Sequence, residues 1–174
     1  MISGQPQTLI PEVSINKRLD SLAKEVLEGL ESEDFVAIIL LKGAMIFATD
    51  LCRKMPVMLE MECLNVSSYH GETESSGTVK FLDSTLPNVE GKTVLVIDDI
   101  LDTGRTLHIV SQKLLSLGAK KLHRCVLLSK NKQRAKEINA EYVGFHIEDE
   151  FVVGYGLDYQ EKYRNLPYIG VLND

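Results

Sequence analysis

The stretch Val94 to Thr106 reads VLVIDDILDTGRT and holds residue types that can do chemistry at one place. An apolar run comes first, then the adjacent carboxylates Asp98 and Asp99, then Asp102 and the short segment Thr103, Gly104, Arg105 and Thr106. Two adjacent carboxylates are costly unless a cation or hydrogen-bond donors offset them, and sugar hydroxyls with a magnesium ion would do so. A glycine and two hydroxyls leading into a helix can aim backbone N–H groups at one phosphate. The competing reading makes the aspartates turn residues and a helix cap. Their combination behind one apolar strand favours a sugar-phosphate site instead.

Such a site needs a strand that ends there and a helix that begins there. The run TVLVI predicts a buried strand ending just before Asp98, and Leu107, Val110, Leu114 and Leu117 predict a helix over 103–117, stopped by Gly118. Leu22, Ala23, Val26, Leu27 and Leu30 mark a helix from Leu19, ended by the polar residues 31–34. Phe35 to Leu41 predicts a buried strand, Ala44, Phe47, Ala48 and Leu51 a second helical face, and Pro56 to Val66 a strand with one covered face. SSYHGETESSG at 67–77 predicts a long polar loop, with a short strand resuming at Val79 to Leu82. Leu122 to Leu128 and Tyr142 to Ile147 predict further strands, while 1–12 reads as an irregular lead-in and the tail from Asp149 as turn-rich. Near-continuous apolar strands alternating with helices imply a parallel sheet covered on both faces, the α/β class. In open α/β sheets ligands sit at the carboxyl ends of strands, where Asp98 falls.

The 174 residues suit one domain and a single large core. A formal charge of −6 disfavours a nucleic-acid surface. No apolar run is long enough for a membrane span, and no secretory leader is apparent. Cys52, Cys63 and Cys125 form neither a CxxC pair nor a disulfide pattern, so a cytoplasmic protein with free thiols is expected. Neither GxxxxGK[ST] nor GxGxxG occurs. His70, His108, His123 and His146 have no metal-ligand spacing.

VLVIDDILDTGRT resembles the donor-binding motif of phosphoribosyltransferases of the type I fold. LLKGA at 40–44, SSYHGETESSG at 67–77 and FVVGYGLDYQEKYRNLPYIG at 151–170 resemble the hypoxanthine-guanine branch, in the same order along nearly the whole chain. The resemblance implies an open, twisted, mostly parallel sheet flanked by helices, in one domain of residues 1–174. Its core would cover about 15–148, and a small hood lobe would come from about 1–14 and 149–174. It implies transfer of 5-phosphoribose from phosphoribosyl pyrophosphate to a 6-oxopurine, with Mg2+, by a homo-oligomer (dimer or tetramer).

Residue by residue, the resemblance implies that Asp98 and Asp99 face the ribose hydroxyls and, with Asp158, the metal. Asp102 would be the general base near N7 of the purine. Thr103, Gly104, Arg105 and Thr106 would cradle the 5-phosphate. Lys42-Gly43, often a cis peptide in the family, and Arg164 would lie at the pyrophosphate. Lys130 would donate to the purine O6, Phe151 would stack on the base and Val152 would meet its edge. Ser68 and Tyr69 would belong to a closing loop. His70 stands where glycine is common, and Arg105 where lysine also occurs. A donor-binding regulator without catalysis and a pyrimidine-gene regulator of related fold are the rival classes. The intact Asp102 carboxylate counts against the first and the net charge against the second.

Overall fold

In the computed structural model, which describes residues 5–30, 34–68 and 79–172, the alternation of side chains along one strand divides the core in two. This strand is Val36–Leu41. Ala37 and Ile39 point into one apolar layer, Val36, Ile38 and Leu40 into the other. Successive residues of a strand face opposite ways, so an unbroken apolar run is what a sheet covered on both faces demands.

In chain order the elements are β1 (Gln7–Ile10), α1 (Glu12–Leu30), β2 (Val36–Leu41), α2 (Met45–Arg53), β3 (Glu60–Ser68) and β4 (Val79–Phe81). They continue with β5 (Thr93–Leu101), α3 (Arg105–Ser116), β6 (Lys121–Lys130), β7 (Tyr142–Ile147), β8 (Val152–Val153) and β9 (Ile169–Val171). The main sheet runs β4-β3-β2-β5-β6-β7, parallel except for the antiparallel β3–β4 pair. Helices α1 and α2 bury Ile15, Leu19, Leu22, Val26, Phe47 and Leu51 in the layer on one face. Helix α3 buries Leu107, Val110 and Leu114 in the layer on the other.

From β2 the chain crosses outward to β3, and from β5 it crosses the other way to β6. The strand order therefore reverses between β2 and β5, where a crevice opens at the carboxyl ends. The register locates it: β2 pairs with β5 from Val36↔Val94 only as far as Ile39↔Ile97, while β6 stays paired with β5 to Leu101↔Ser129. Asp98 is the first β5 residue beyond the β2 pairing.

Several boundaries differ from the sequence expectation. Helix α1 starts at Glu12, not Leu19, because Ile15 alone marks the apolar face of its first turns. Pro11 precedes it, and its carbonyl accepts from Ser14 and Ile15, so the helix starts where proline is tolerated. The lead-in is not wholly irregular, since β1 pairs antiparallel with β9. With β8 they form a second sheet, β1-β9-β8, drawn from both ends of the chain. Strand β3 begins at Glu60 and runs through Ser68, which pairs with Val79, so residues 67 and 68 continue the strand. Strand β5 runs past the acidic pair, and α3 begins at Arg105.

Candidate active site

The crevice between β2 and β5 holds a cavity of about 440 Å3, and Gly43, Asp98, Asp99, Asp102, Thr103 to Thr106, Asp158 and Arg164 all line it. Two local features build its floor. Asp98 and Asp99 lie within β5 rather than after it, so both backbones are held by the strand. Asp99 N–H donates to Asp98 Oδ1 at 3.0 Å, and Ile100 N–H donates to Asp99 Oδ1 at 2.8 Å.

Asp98 is buried. Burial, then the neighbouring Asp99 charge, pushes its carboxyl well above the usual carboxylate range. Burial raises Asp99 as well, against its hydrogen bonds to Asp98 and to Ile100 N–H and the nearby Arg164 charge. These contacts compensate the pair only in part, and a hard cation or sugar hydroxyls would supply the rest.

Gly104 closes β5 into α3. Its φ of +77° is left-handed, and it sits at the N-cap of a 12-residue helix. A Cβ there would lie 2.7 Å from Ile138 Cγ2 and 2.9 Å from the Lys136 carbonyl, so glycine is required twice over. Thr103 O accepts from Lys136 N–H at 3.2 Å, which backs the loop with the segment after β6. The α3 N-terminus, with Thr103 and Thr106, then lines the cavity.

The opposite wall comes from the turn after β2 and from the tail. The cis peptide is Leu41–Lys42, one bond before the Lys42-Gly43 pair. Lys42 Nζ meets Glu161 Oε2 at 3.0 Å. Arg164 Nη1 donates to the Gly156 carbonyl at 2.8 Å, and its Nη2 lies 2.8 Å from Asp158 Oδ1 and 3.5 Å from Glu161 Oε2. Asp158 Oδ2 accepts from Glu161 N–H.

The remaining expected residues collect beside Asp102. Lys130 is the last residue of β6, not a residue beyond it, and is buried. Its Nζ stands 2.9 Å from Asp149 Oδ1 and 3.7 Å from Asp102 Oδ2. Phe151 is exposed and meets Tyr159 edge-on, with ring centroids 5.7 Å apart. Val152 is buried in β8, the edge strand of the small sheet. Tyr69 lies outside the described residues, as does most of the loop predicted at 67–77.

Three site neighbours were not singled out from the sequence. Lys132 Nζ is ion-paired to Asp102 and to Asp149. Asp149 receives both lysines, and Glu161 receives Lys42 and Arg164. The only available signal was the spacing Lys130, Lys132, Arg134, Lys136, which reads equally well as a solvated surface.

The metal expectation has mixed support. Asp98, Asp99 and Asp158 line one cavity. Among the described residues, however, no three His, Cys, Asp or Glu side chains converge into a metal cluster. A buried, under-compensated carboxylate pair without a closed cage fits an ion such as magnesium, which keeps waters and takes substrate oxygens as ligands.

The chain belongs to the phosphoribosyltransferase family. The family model described as "Phosphoribosyl transferase domain" matches residues 13–160. Within that family it groups with the hypoxanthine-guanine phosphoribosyltransferases. It is 42% identical to the hypoxanthine-guanine phosphoribosyltransferase of Staphylococcus aureus, over 95% of this chain and 93% of that one. It is 45% identical to the bifunctional protein TilS/HprT of Listeria monocytogenes, of whose length it spans 26%. A crystal structure of a hypoxanthine-guanine phosphoribosyltransferase from Bacillus anthracis superposes with a TM-score of 0.90 at 40% identity, over 97% of this chain and 100% of that one. The two-layered, mostly parallel sheet is thus the type I phosphoribosyltransferase fold.

Proposed function

We propose that the chain transfers the 5-phosphoribosyl group of phosphoribosyl pyrophosphate to hypoxanthine or guanine, giving IMP or GMP and pyrophosphate. One observation carries the choice of acceptor: the Lys130 ammonium stands 3.7 Å from an Asp102 carboxylate oxygen. A 6-oxopurine carries an acceptor, O6, beside a nitrogen, N7, whose proton can be accepted. A donor and an acceptor side by side match that edge. A 6-amino group would set N–H donors against the ammonium instead.

In the reaction a purine nitrogen bonds to C1 of the ribose as the C1–pyrophosphate bond breaks. Positive charge develops on the sugar and negative charge on the leaving group. Asp102 takes the purine proton at N7, which raises the nucleophilicity of the ring. Lys130 donates to O6 and fixes the base, and Phe151 offers a face for stacking, with Val152 at the ring edge. Thr103 to Thr106 hold the 5-phosphate at the start of α3. Lys42, Gly43 and Arg164 would meet the pyrophosphate, and Ser68 and Tyr69 would belong to a loop that closes over the reaction and excludes water. Asp98 and Asp99 hold the ribose hydroxyls and, with Asp158, would hold Mg2+. When bound, that ion would neutralise charge on the leaving pyrophosphate.

The small sheet β1-β9-β8 acts as the hood over the purine side of the core. A homo-oligomer, dimer or tetramer, is supported by the exposed Met58 and Met61 beside a groove at Cys52, Val57 and Leu59. The cytoplasm is the proposed location, consistent with three free cysteines. No helix among the described residues is long and apolar enough to cross a membrane.

Rates with hypoxanthine, guanine, xanthine and adenine, each with phosphoribosyl pyrophosphate and magnesium, test this reading. Turnover of the 6-oxopurines but not adenine is expected. Adenine as the best acceptor would overturn it.

A further inference from the structure

Two ammoniums and two carboxylates form a closed square of which Asp102 lines the cavity. Lys130 Nζ meets Asp149 Oδ1 at 2.9 Å and Asp102 Oδ2 at 3.7 Å. Lys132 Nζ meets Asp149 Oδ1 at 3.0 Å and Oδ2 at 3.2 Å, and it also lies against Asp102 Oδ1. Lys132 is held in place by its backbone, since its N–H donates to the Lys130 carbonyl at 3.0 Å and Asn131 N–H donates to Ile147 O at 2.8 Å. Asp149 lies in the neighbouring turn, where Glu150 N–H donates to Glu148 O.

This arrangement creates a difficulty for base binding. A neutral purine that takes Lys130 at O6 and Asp102 at N7 removes the Lys130–Asp149 pair. It brings no charge to replace what it removes. Something must remain on Asp149, or Asp149 will hold Lys130 back.

We infer that Lys132 is a positioning residue for purine capture: it stays on Asp149 and Asp102 as counter-charge, so that Lys130 can leave Asp149 for the purine oxygen. The inference rests on the reading of Lys130 as the O6 donor. Lys132 is suited to the part because it already spans both carboxylates, so base binding requires one ammonium to move rather than two. Its side chain is also more exposed than that of Lys130, 25% against 10%, which leaves the more buried lysine to face the base. In the absence of Lys132, two carboxylates compete for one ammonium that the purine also needs.

The test is a mutant cycle read by steady-state kinetics with hypoxanthine and phosphoribosyl pyrophosphate. Lys132→Gln is expected to raise the hypoxanthine KM about three- to tenfold, the scale of a partly exposed ion pair. The donor KM should stay within about twofold. Lys132→Arg should restore the hypoxanthine KM, because it restores the charge. Asp149→Asn in the Lys132→Gln background should lower that KM again, since no carboxylate then competes for Lys130. An unchanged hypoxanthine KM in Lys132→Gln would overturn the inference, as would equal losses for both substrates or failure of Asp149→Asn to relieve the defect. Wild-type protein that turns over no 6-oxopurine would remove the underlying reading, and this inference with it. Wild-type turnover with an unaffected Lys132→Gln would remove the inference alone.

Discussion

Gly43 packs so closely on Asp99 that a Cβ at residue 43 would overlap the Asp99 carboxylate. On its other side Gly43 meets Gly156, where a Cβ would run into the Gly43 carbonyl. Three segments remote in sequence thus stack together, the Asp99 carboxylate on Gly43 and the Gly43 backbone on Gly156. Gly43→Ala must displace the Asp99 carboxylate or the 42–44 turn. The donor KM should rise roughly 10- to 100-fold, the scale on which small misplacements act. Steady-state kinetics with varied phosphoribosyl pyrophosphate checks it, and an unchanged donor KM would show that Asp99 does not contact the donor.

Asp102→Asn keeps the shape of the side chain but cannot accept a proton. Turnover should fall about 10²- to 10⁴-fold, the usual worth of a general base. Donor affinity, measured by calorimetry, should change little. Near-wild-type turnover would take Asp102 out of the base role.

Lys130→Ala removes the donor that faces a 6-oxo group. The hypoxanthine KM should rise roughly 10- to 100-fold, and the preference over adenine should narrow, because a site that reads by hydrogen bonding loses its reader. Competition between the two bases measures this directly. Discrimination that survives the substitution would assign the reading to another residue.

The acidic pair should also leave a mark on stability. Asp98 titrates above its unfolded value of about 3.9, so the native state holds a proton that the unfolded state has released. Without ligands, the contribution of Asp98 to stability is therefore fully present below the unfolded value, and is lost as pH rises through the raised native one. Asp98→Asn lacks this dependence. Its Tm should exceed that of the wild type by a few degrees at neutral pH, with the gap closing as pH falls toward about 4. Thermal melts across that window decide, and a variant less stable than wild type at neutral pH would count against the pair as a source of strain.

The three thiols should react very differently. Burial pushes Cys52 up to about 11 and raises Cys125 too, while Cys63 is exposed. Thiolate is the reacting form. Iodoacetamide at pH 8 should label Cys63 alone in the native protein, with Cys52 joining only as pH approaches 11. Mass mapping of the labelled peptides reads the outcome, and Cys52 labelling at pH 8 would contradict its burial.

Most of the donor-side machinery was legible because it is local. Asp98 to Thr106 lie on one strand, one loop and one helix start, so residue type and spacing carry the arrangement. The alternating layers of the sheet were legible for a similar reason, since a doubly covered strand must be apolar throughout. The start of α1 was not, because Glu12 to Arg18 offers only Ile15 to mark its buried face. Strand β1 was hidden because its partner β9 lies at the far end of the chain. The Lys132–Asp149 contact was hidden because it joins the turns after two neighbouring strands, β6 and β7, and charges on turns look solvated until the register is known.

The pairing of β1 with β9 has a consequence for how the molecule comes into being. Gln7 and Thr8 leave the ribosome long before their partners Val171 and Gly170. The strands β2 to β7 can associate while synthesis continues, because each meets a neighbour already made or soon to follow. The small sheet cannot, since closing so long a loop has to wait for β9. A nascent chain can therefore assemble Asp98 to Thr106, with Lys130 beside them, before Phe151, Asp158 and Arg164 arrive to complete the site.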